Sequence, residues 1–255
     1  MSKAPAVDYA LEIIELFADM GTALGIADIS NSLGINKNAV SRILESLTEK
    51  NWIYPCGESG KKYMLTLRPF SVISKTASGT DIAGIASPYI GELNRKLGDC
   101  VYLGVKNGRN VIYLVHYDST KEVRVNGRLG GEYPLNCAAP GKVLLSYSDS
   151  KEISEHFAKL PEKRTVNTIC DFDSFLGEAE KIKGNGYAVD NEEFAKGIIC
   201  IAVPVFGSDG KVVASVGLST LTIYDSSESL INDKLPLLKK TAAEISANLG
   251  FSGKE

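Results

Sequence analysis

No apolar run in this 255-residue chain approaches the ~20 residues that a membrane-spanning helix needs, so nothing in the sequence predicts a transmembrane segment. The opening MSKAPAVDYALEII carries acids in an amphipathic pattern where a secretory leader would place a charged head, and a cytoplasmic location is the expectation. Cysteine is sparse. The five present, Cys56, Cys100, Cys137, Cys170 and Cys200, are odd in number, widely spaced and never in a CxxC pair, which argues against a disulfide framework or a zinc site. His116 and His156 stand alone without metal-ligand spacing, and neither a metal nor a cofactor is expected. Also missing is an excess of positive charge: the formal net charge is -3, so any affinity for nucleic acid has to be local.

What remains is an ordinary globular composition, 44% hydrophobic and 23% charged, over a length that fits two domains. The most informative stretch is Ile29 to Tyr54, where a short apolar helix signal breaks at Gly34 and restarts behind Asn36. Val40, Ile43, Leu44 and Leu47 repeat at the spacing of one buried stripe, which leaves Asn38, Ser41, Arg42 and Glu45 on the opposite face. Short polar side chains with an Arg and an Asn are what a helix needs to approach base edges in a DNA major groove. The local charge agrees: from Ile35 to Arg68, Lys37, Arg42, Lys50, Lys61, Lys62 and Arg68 face only Glu45, Glu49 and Glu58.

An earlier helix is predicted from about Asp8 to Met20, ending at Gly21, and a second from about Ala27 to Leu33. Asn36 is the predicted cap of the third, and Asn51 its left-handed exit. Residues 52–55 and 62–65 read as paired strands around a Gly57-Glu58-Ser59-Gly60 tip, which completes a winged helix-turn-helix over residues 1–66. A linker helix is expected over 67–79, with Phe70, Ile73, Ser74 and Ala77 on one apolar side and Gly79 interrupting. The rest, 80–255, opens with a helix through Ile82 to Leu93. It continues with β-rich runs at 101–105 and 111–115 about a turn at 106–110, a third strand at Glu122 to Asn126 and a glycine-rich loop at 127–131. A short helix near Lys142, a helix over 172–183, a hairpin of 198–206 with 211–219 and a closing helix over 227–249 follow. Helices interleaved with antiparallel strands give an α+β fold.

Two signatures then become visible. One is ALEIIELFA, followed by IADISNSLGINKNAVSRILESLTEKNWI and a wing ending KKYMLTL; the other is VRVNGRLGGEYPLNCAAPGKVLL, GYAVDNEEFAKGIICIAVPVF and GKVVASVGLST. Together, in this order, the chain resembles the IclR family of bacterial transcriptional regulators over nearly its whole length. The resemblance implies a GAF-like effector domain behind the winged helix, assembly as dimers or dimers of dimers, a palindromic double-stranded DNA operator and a small-molecule effector, typically a carboxylate or aromatic acid. It further implies that Val125, Tyr133, Ala139, Pro140, Asp190, Cys200, Gly217 and Ser219 form the effector pocket. Two positions depart from the family pattern: Asn136 stands where a His is common, and Gly217 where a hydroxyl side chain is expected.

Each feature also has a plainer reading. Asn38, Ser41 and Arg42 taken alone describe a solvated helix face; with the turn and wing beside them they become DNA-contacting residues, Arg42 for a guanine or phosphate, Lys37, Lys61 and Lys62 for phosphates. Ala139-Pro140-Gly141-Lys142 looks like an anion-binding turn but is no P-loop, since Asn136 and Val143 replace its Gly and its Ser or Thr. A tight loop-to-helix turn is the simpler account, and amides binding an effector carboxylate the one suited to the family. Asp190, Glu192 and Glu193 read as solvated loop acids, and Cys200 as a buried small hydrophobe. The reading adopted is a ligand-responsive regulator without enzymatic activity. Its rivals are a small-molecule enzyme with an appended DNA-binding module, using Cys200 or Asp190, and a protein-binding module that uses the winged helix for partners.

Overall fold

The computed structural model describes residues 4–57, 60–76 and 81–253 and divides into two compact units, Met1–Thr80 and Asp81–Glu255. Glu58 and Ser59 of the expected wing tip, and Ala77 and Gly79 of the expected linker, lie outside the described residues.

In the first unit, α1 (Pro5–Met20), α2 (Ile26–Leu33) and α3 (Lys37–Glu49) form because each carries one apolar stripe, and the stripes meet. Ile13, Phe17, Ile29, Val40, Ile43, Leu44, Leu47 and Ile53 make one continuous core. Left-handed glycines end the first two helices, Gly21 at φ 59° and Gly34 at φ 67°. The Asn36 side chain accepts the Asn38 N–H at 2.9 Å and so opens α3. Behind it, β2 (Ile53–Cys56) and β3 (Lys62–Leu65) pair as the wing. A third strand, β1 (Leu24–Gly25), joins β3 at Tyr63 and Lys62. Two residues have no period, and only their partner defines them as a strand. The unit closes with α4 (Arg68–Thr76), on which Phe70 is 72% exposed.

The second unit is built on a six-stranded antiparallel sheet in the order β6-β5-β4-β9-β8-β7, with β4 Cys100–Asn107, β5 Asn110–Tyr117, β6 Glu132–Pro134, β7 Ala188–Asn191, β8 Ile198–Phe206 and β9 Val212–Leu221. Strand alternation sorts its side chains into two cores. Val101, Leu103, Ile199, Ile201 and Val203 face α5 (Ile82–Leu97) and α10 (Leu235–Asn248). The intervening Cys100, Tyr102, Cys200 and Ala202 face α6 (Ala139–Ser146), α7 (Ser150–Ala158) and α8 (Phe172–Asn185). Covered on both sides, β8 reads as an unbroken apolar run.

Three expectations change. Glu122 to Asn126 is not a strand: the β5 edge is occupied instead by β6, and Gly130 and Gly131 complete it by exchanging backbone bonds with Tyr113. The turn between β4 and β5 is short, since Asn107 pairs with Asn110 and only Gly108-Arg109 lie between. The closing helix begins as a short turn, α9 (Ser227–Ser229), and passes through a π-helical turn, Leu230–Lys234, before α10. Helix α7 and strand β7 were not expected; Asp149 caps the former by accepting the Glu152 N–H at 2.7 Å.

Candidate DNA-reading face and effector cavity

On the first unit, the α3 stripe that anchors the core fixes what faces outward. Lys37, Asn38 and Arg42 are exposed and Ser41 is half-buried, all within about one and a half turns at the start of α3. Lys61 and Lys62 are exposed at the start of β3. Among the described residues no carboxylate forms an ion pair with any of these four cations, so their charge is open to a phosphate. Chemically this face offers fork-shaped and point-charge donors beside short polar groups.

On the second unit, a row of registered side chains crosses four strands. Cys100 pairs with Ser219, Ser219 with Cys200, and Cys200 with Asp190, so all four project to the same face of the sheet. They floor a cavity of about 120 Å³ walled by Tyr102, Tyr113, Tyr133, Val125, Ala139, Pro140 and Phe194. Seven of the eight expected pocket residues thus come together: Val125, Tyr133, Ala139, Pro140, Asp190, Cys200 and Ser219. Gly217 does not line the cavity. It lies opposite Tyr102 in register, where a Cβ would come within 2.5 Å of the ring, so its missing side chain makes room for that tyrosine. Asn136 lies outside the lining too, fully buried, with its amide donating to the Ile169 carbonyl at 2.8 Å.

The polar chemistry of the floor is specific. Ser219 Oγ lies 3.0 Å from Cys200 Sγ and donates to the Tyr102 hydroxyl at 3.2 Å, while Cys100 Sγ lies 3.2 Å from His116 Nε2. Tyr102, Tyr113 and Tyr133 form a stack, with centroids 4.2 and 4.5 Å apart. Burial pushes the Tyr102 and Tyr113 hydroxyls well above the usual phenol range, and burial with the nearby Asp190 does the same to the Cys200 thiol. A thiol so held is a poor nucleophile.

Two of the three acids expected to be solvated are buried. Asp190 has no exposed surface because β7 adds to the sheet edge and turns it inward. Its Oδ1 accepts the Glu193 and Phe194 N–H groups at 2.7 and 3.1 Å, while Oδ2 has no hydrogen-bond partner among the described residues. Burial raises its pKa to about 6, against the pull of those two N–H donors. Glu193 is drawn inward by Lys142, whose Nζ lies 2.5 Å from Glu193, 2.9 Å from Glu178 and 2.8 Å from the Val189 carbonyl. Burial disfavours the charge on Lys142, but the two carboxylates outweigh it and hold the pKa above the ordinary lysine value. The lysine of the Ala139-Pro140-Gly141-Lys142 turn is therefore committed to the protein and not to an incoming anion.

The sequence did not single out Cys100, Tyr102, Tyr113 or Phe194 as lining residues. For the first two a signal existed, since they alternate with the apolar Val101 and Leu103. A larger hollow of about 440 Å³, beside Tyr147, Phe206 and Phe251, is predominantly apolar and lies away from the row of polar groups. The smaller cavity is the candidate site because polar groups converge on it.

Residues 74–247 match the family described as bacterial transcriptional regulator IclR, C-terminal, and residues 6–55 match the IclR helix-turn-helix domain. Over 255 residues the chain is 31% identical to the HTH-type transcriptional regulator KdgR of Escherichia coli strain K12, covering 98% of this chain and 96% of that protein. The crystal structure of Thermotoga maritima IclR aligns with a TM-score of 0.78 at 27% identity, over 96% of this chain and 98% of that one. An IclR homolog from Microbacterium hydrocarbonoxydans, crystallised in complex with 4-hydroxybenzoate, shares the fold with a TM-score of 0.82 at 18% identity, over 96% of this chain and 98% of that one.

Proposed function

Because the chain belongs to the IclR family of bacterial transcriptional regulators, we propose that it binds a palindromic operator as a homo-oligomer through α3 and the wing, under the control of a small metabolite held in the cavity of the second unit. Residues 1–66 act as the DNA-binding domain, 67–79 as the linker and 80–255 as the effector domain of a cytoplasmic protein. Asn38, Ser41 and Arg42 read base edges, while Lys37, Lys61 and Lys62 neutralise phosphates. The observation that carries this reading is the coexistence of a basic face on α3, without an ion-pair partner among the described residues, and a cavity into which Asp190, Cys200 and Ser219 converge.

The stack of tyrosines favours a planar or ring-bearing effector, as does the binding of 4-hydroxybenzoate by a protein of the same fold. Among the described residues no Lys or Arg lines the cavity. A carboxylate there would be received by the backbone N–H of Ala139 at the start of α6, since Pro140 has none, and a hydroxyl on the same molecule would donate to Asp190. An effector must bind two placements of the paired α3 helices unequally to regulate, because half-sites lie about 34 Å, or a multiple, apart. We propose binding without turnover: burial and the neighbouring Asp190 both raise the Cys200 thiol and hold it protonated, so that it is a poor nucleophile.

A thermal-shift screen of small organic acids, followed by operator titration and mass spectrometry of any hit, tests this. The expected result is an intact ligand with altered DNA affinity. Consumption of the ligand, abolished by Cys200→Ala, would overturn it in favour of an enzyme, and DNA affinity that is absent or independent of salt would favour a protein-binding role for the winged helix.

A further inference from the structure

Phe194 is the one aromatic of the cavity wall that comes from a loop. Its ring meets Tyr133 edge-on, with centroids 5.5 Å apart, and lines the cavity. The same ring carries the Arg164 guanidinium, 4.3 Å from the ring centroid, and Arg164 Nε donates to the Phe194 carbonyl at 3.1 Å. Arg164 is itself a third exposed.

The segment that bears Arg164 has no helix or strand of its own, yet side chains fasten it to both loops that form the cavity. Toward Phe194, Asn167 donates to the Asn191 carbonyl, Thr165 to that of Glu192 and Thr168 to that of Glu193, at 3.0, 2.7 and 2.6 Å. At its other end the Ile169 carbonyl accepts from Asn136, in the loop that leads to Ala139 and Pro140. Residues 164–169 therefore form a strap between the two walls. The part of it that touches the cavity's loop-borne ring is the Arg164–Phe194 contact, which lies at the surface with the Asn167–Asn191 bond and the pairing of Arg164 with Glu162 at 3.2 Å. It is also the part that can yield by rotamer change without breaking a buried bond.

We propose that Phe194 is the lid of the cavity and Arg164 the latch that holds it closed, so that this pair governs which molecules enter and how fast they leave. The arrangement bears on regulation only where the cavity holds the effector; access to the cavity can be read whether or not it does. Arg164 is here a positioning residue, acting on the cavity through the ring it covers.

Cys100 and Cys200, which line the cavity floor, supply the readout. The full chain is exposed to N-ethylmaleimide under native conditions and the modification rate of each thiol is followed by peptide mass spectrometry, with backbone amide exchange of β9 measured in parallel. Arg164→Ala is expected to speed labelling of Cys200 about 2- to 5-fold, the range expected for loss of an exposed cation–π contact. Phe194→Ala should speed it further, and Arg164→Lys, which keeps a cation over the ring, should label more slowly than Arg164→Ala. Exchange in β9 should not change. Unaltered Cys200 labelling in both Arg164→Ala and Phe194→Ala would overturn the proposal. So would faster labelling matched by faster β9 exchange, which would report general loosening, or equal rates for the Lys and Ala variants at Arg164.

Discussion

Arg42 and Lys61 stand in solvent on a helix face and a hairpin, whereas Asp190 and Lys142 are withdrawn from water and held by partners from distant parts of the chain. The first pair depends on local spacing. A buried α3 stripe is enough to point Arg42 outward, and nothing else in the fold rests on it. The second pair depends on register across a sheet and on the meeting of α6, α8 and β7, so Asp190 lines the cavity while Lys142 ties together the elements behind it, and both bear on the stability of the fold. Substitutions should therefore separate function from stability in the first unit and mix them in the second.

The largest effect is expected at Lys142. Lys142→Met leaves Glu193 and Glu178 without the cation they share, and loss of one partner from a buried ion cluster costs about 3–5 kcal/mol. Urea unfolding of the full chain should show the second unit's transition shifted by that amount; a shift below about 1 kcal/mol would mean that the cluster is replaceable and that function and stability separate here as well.

Asp190 comes next, through pH. Its pKa is raised from 3.8 to about 6 in the fold, so the folded state favours the protonated form. Its contribution is fully present below the unfolded value and is lost as pH rises through the folded one. The loss from this group between pH about 4 and about 7 is of order 3 kcal/mol at most. Asp190→Asn cannot titrate. The thermal midpoint of the variant relative to the wild type should rise between pH 4.5 and 7.5; a difference that stays flat would show that Asp190 is not held as described.

In the first unit the expected changes are smaller and affect binding alone. Arg42→Ala should weaken operator binding by about 1–3 kcal/mol and relax the preference at one base pair in each half-site, without moving the thermal midpoint. Lys61→Ala should weaken binding to all DNA sequences alike and reduce the salt slope by about 1, measured by anisotropy across a salt series. A change of sequence preference in Lys61→Ala would break the division between base-reading and phosphate-binding residues.

The same contrast explains what could be read from the sequence. Val40, Ile43, Leu44 and Leu47 declare α3 through a local period, and Asn36 declares its start through one side chain, so the DNA-reading unit was legible apart from the two-residue β1. In the second unit the sheet and its helices were legible in outline, but Glu122 to Asn126 satisfied strand composition without having an edge to pair with. Asp190, Cys200 and Ser219 were named through family resemblance. Composition alone placed Asp190 in solvent, because its burial is set by the pairing of β7 with β8, and that partner lies beyond any local window. Tyr113 and Phe194 were missed for the same reason, since only the alignment of strands and one strap brings them to a common space, whereas Tyr102 was missed although its alternation with Val101 and Leu103 signalled its face.

The most direct test of the central claim, that an exposed α3 face reads a symmetric operator, is selection of binding sites from random DNA by the full chain, with wild type and Arg42→Ala in parallel. A symmetric operator predicts enriched sites with two-fold symmetry and half-sites about 10 base pairs, or a multiple, apart. It also predicts that Arg42→Ala keeps that symmetry and loses discrimination at one position in each half. Asymmetric or unenriched pools, or an identical motif from the variant, would contradict it.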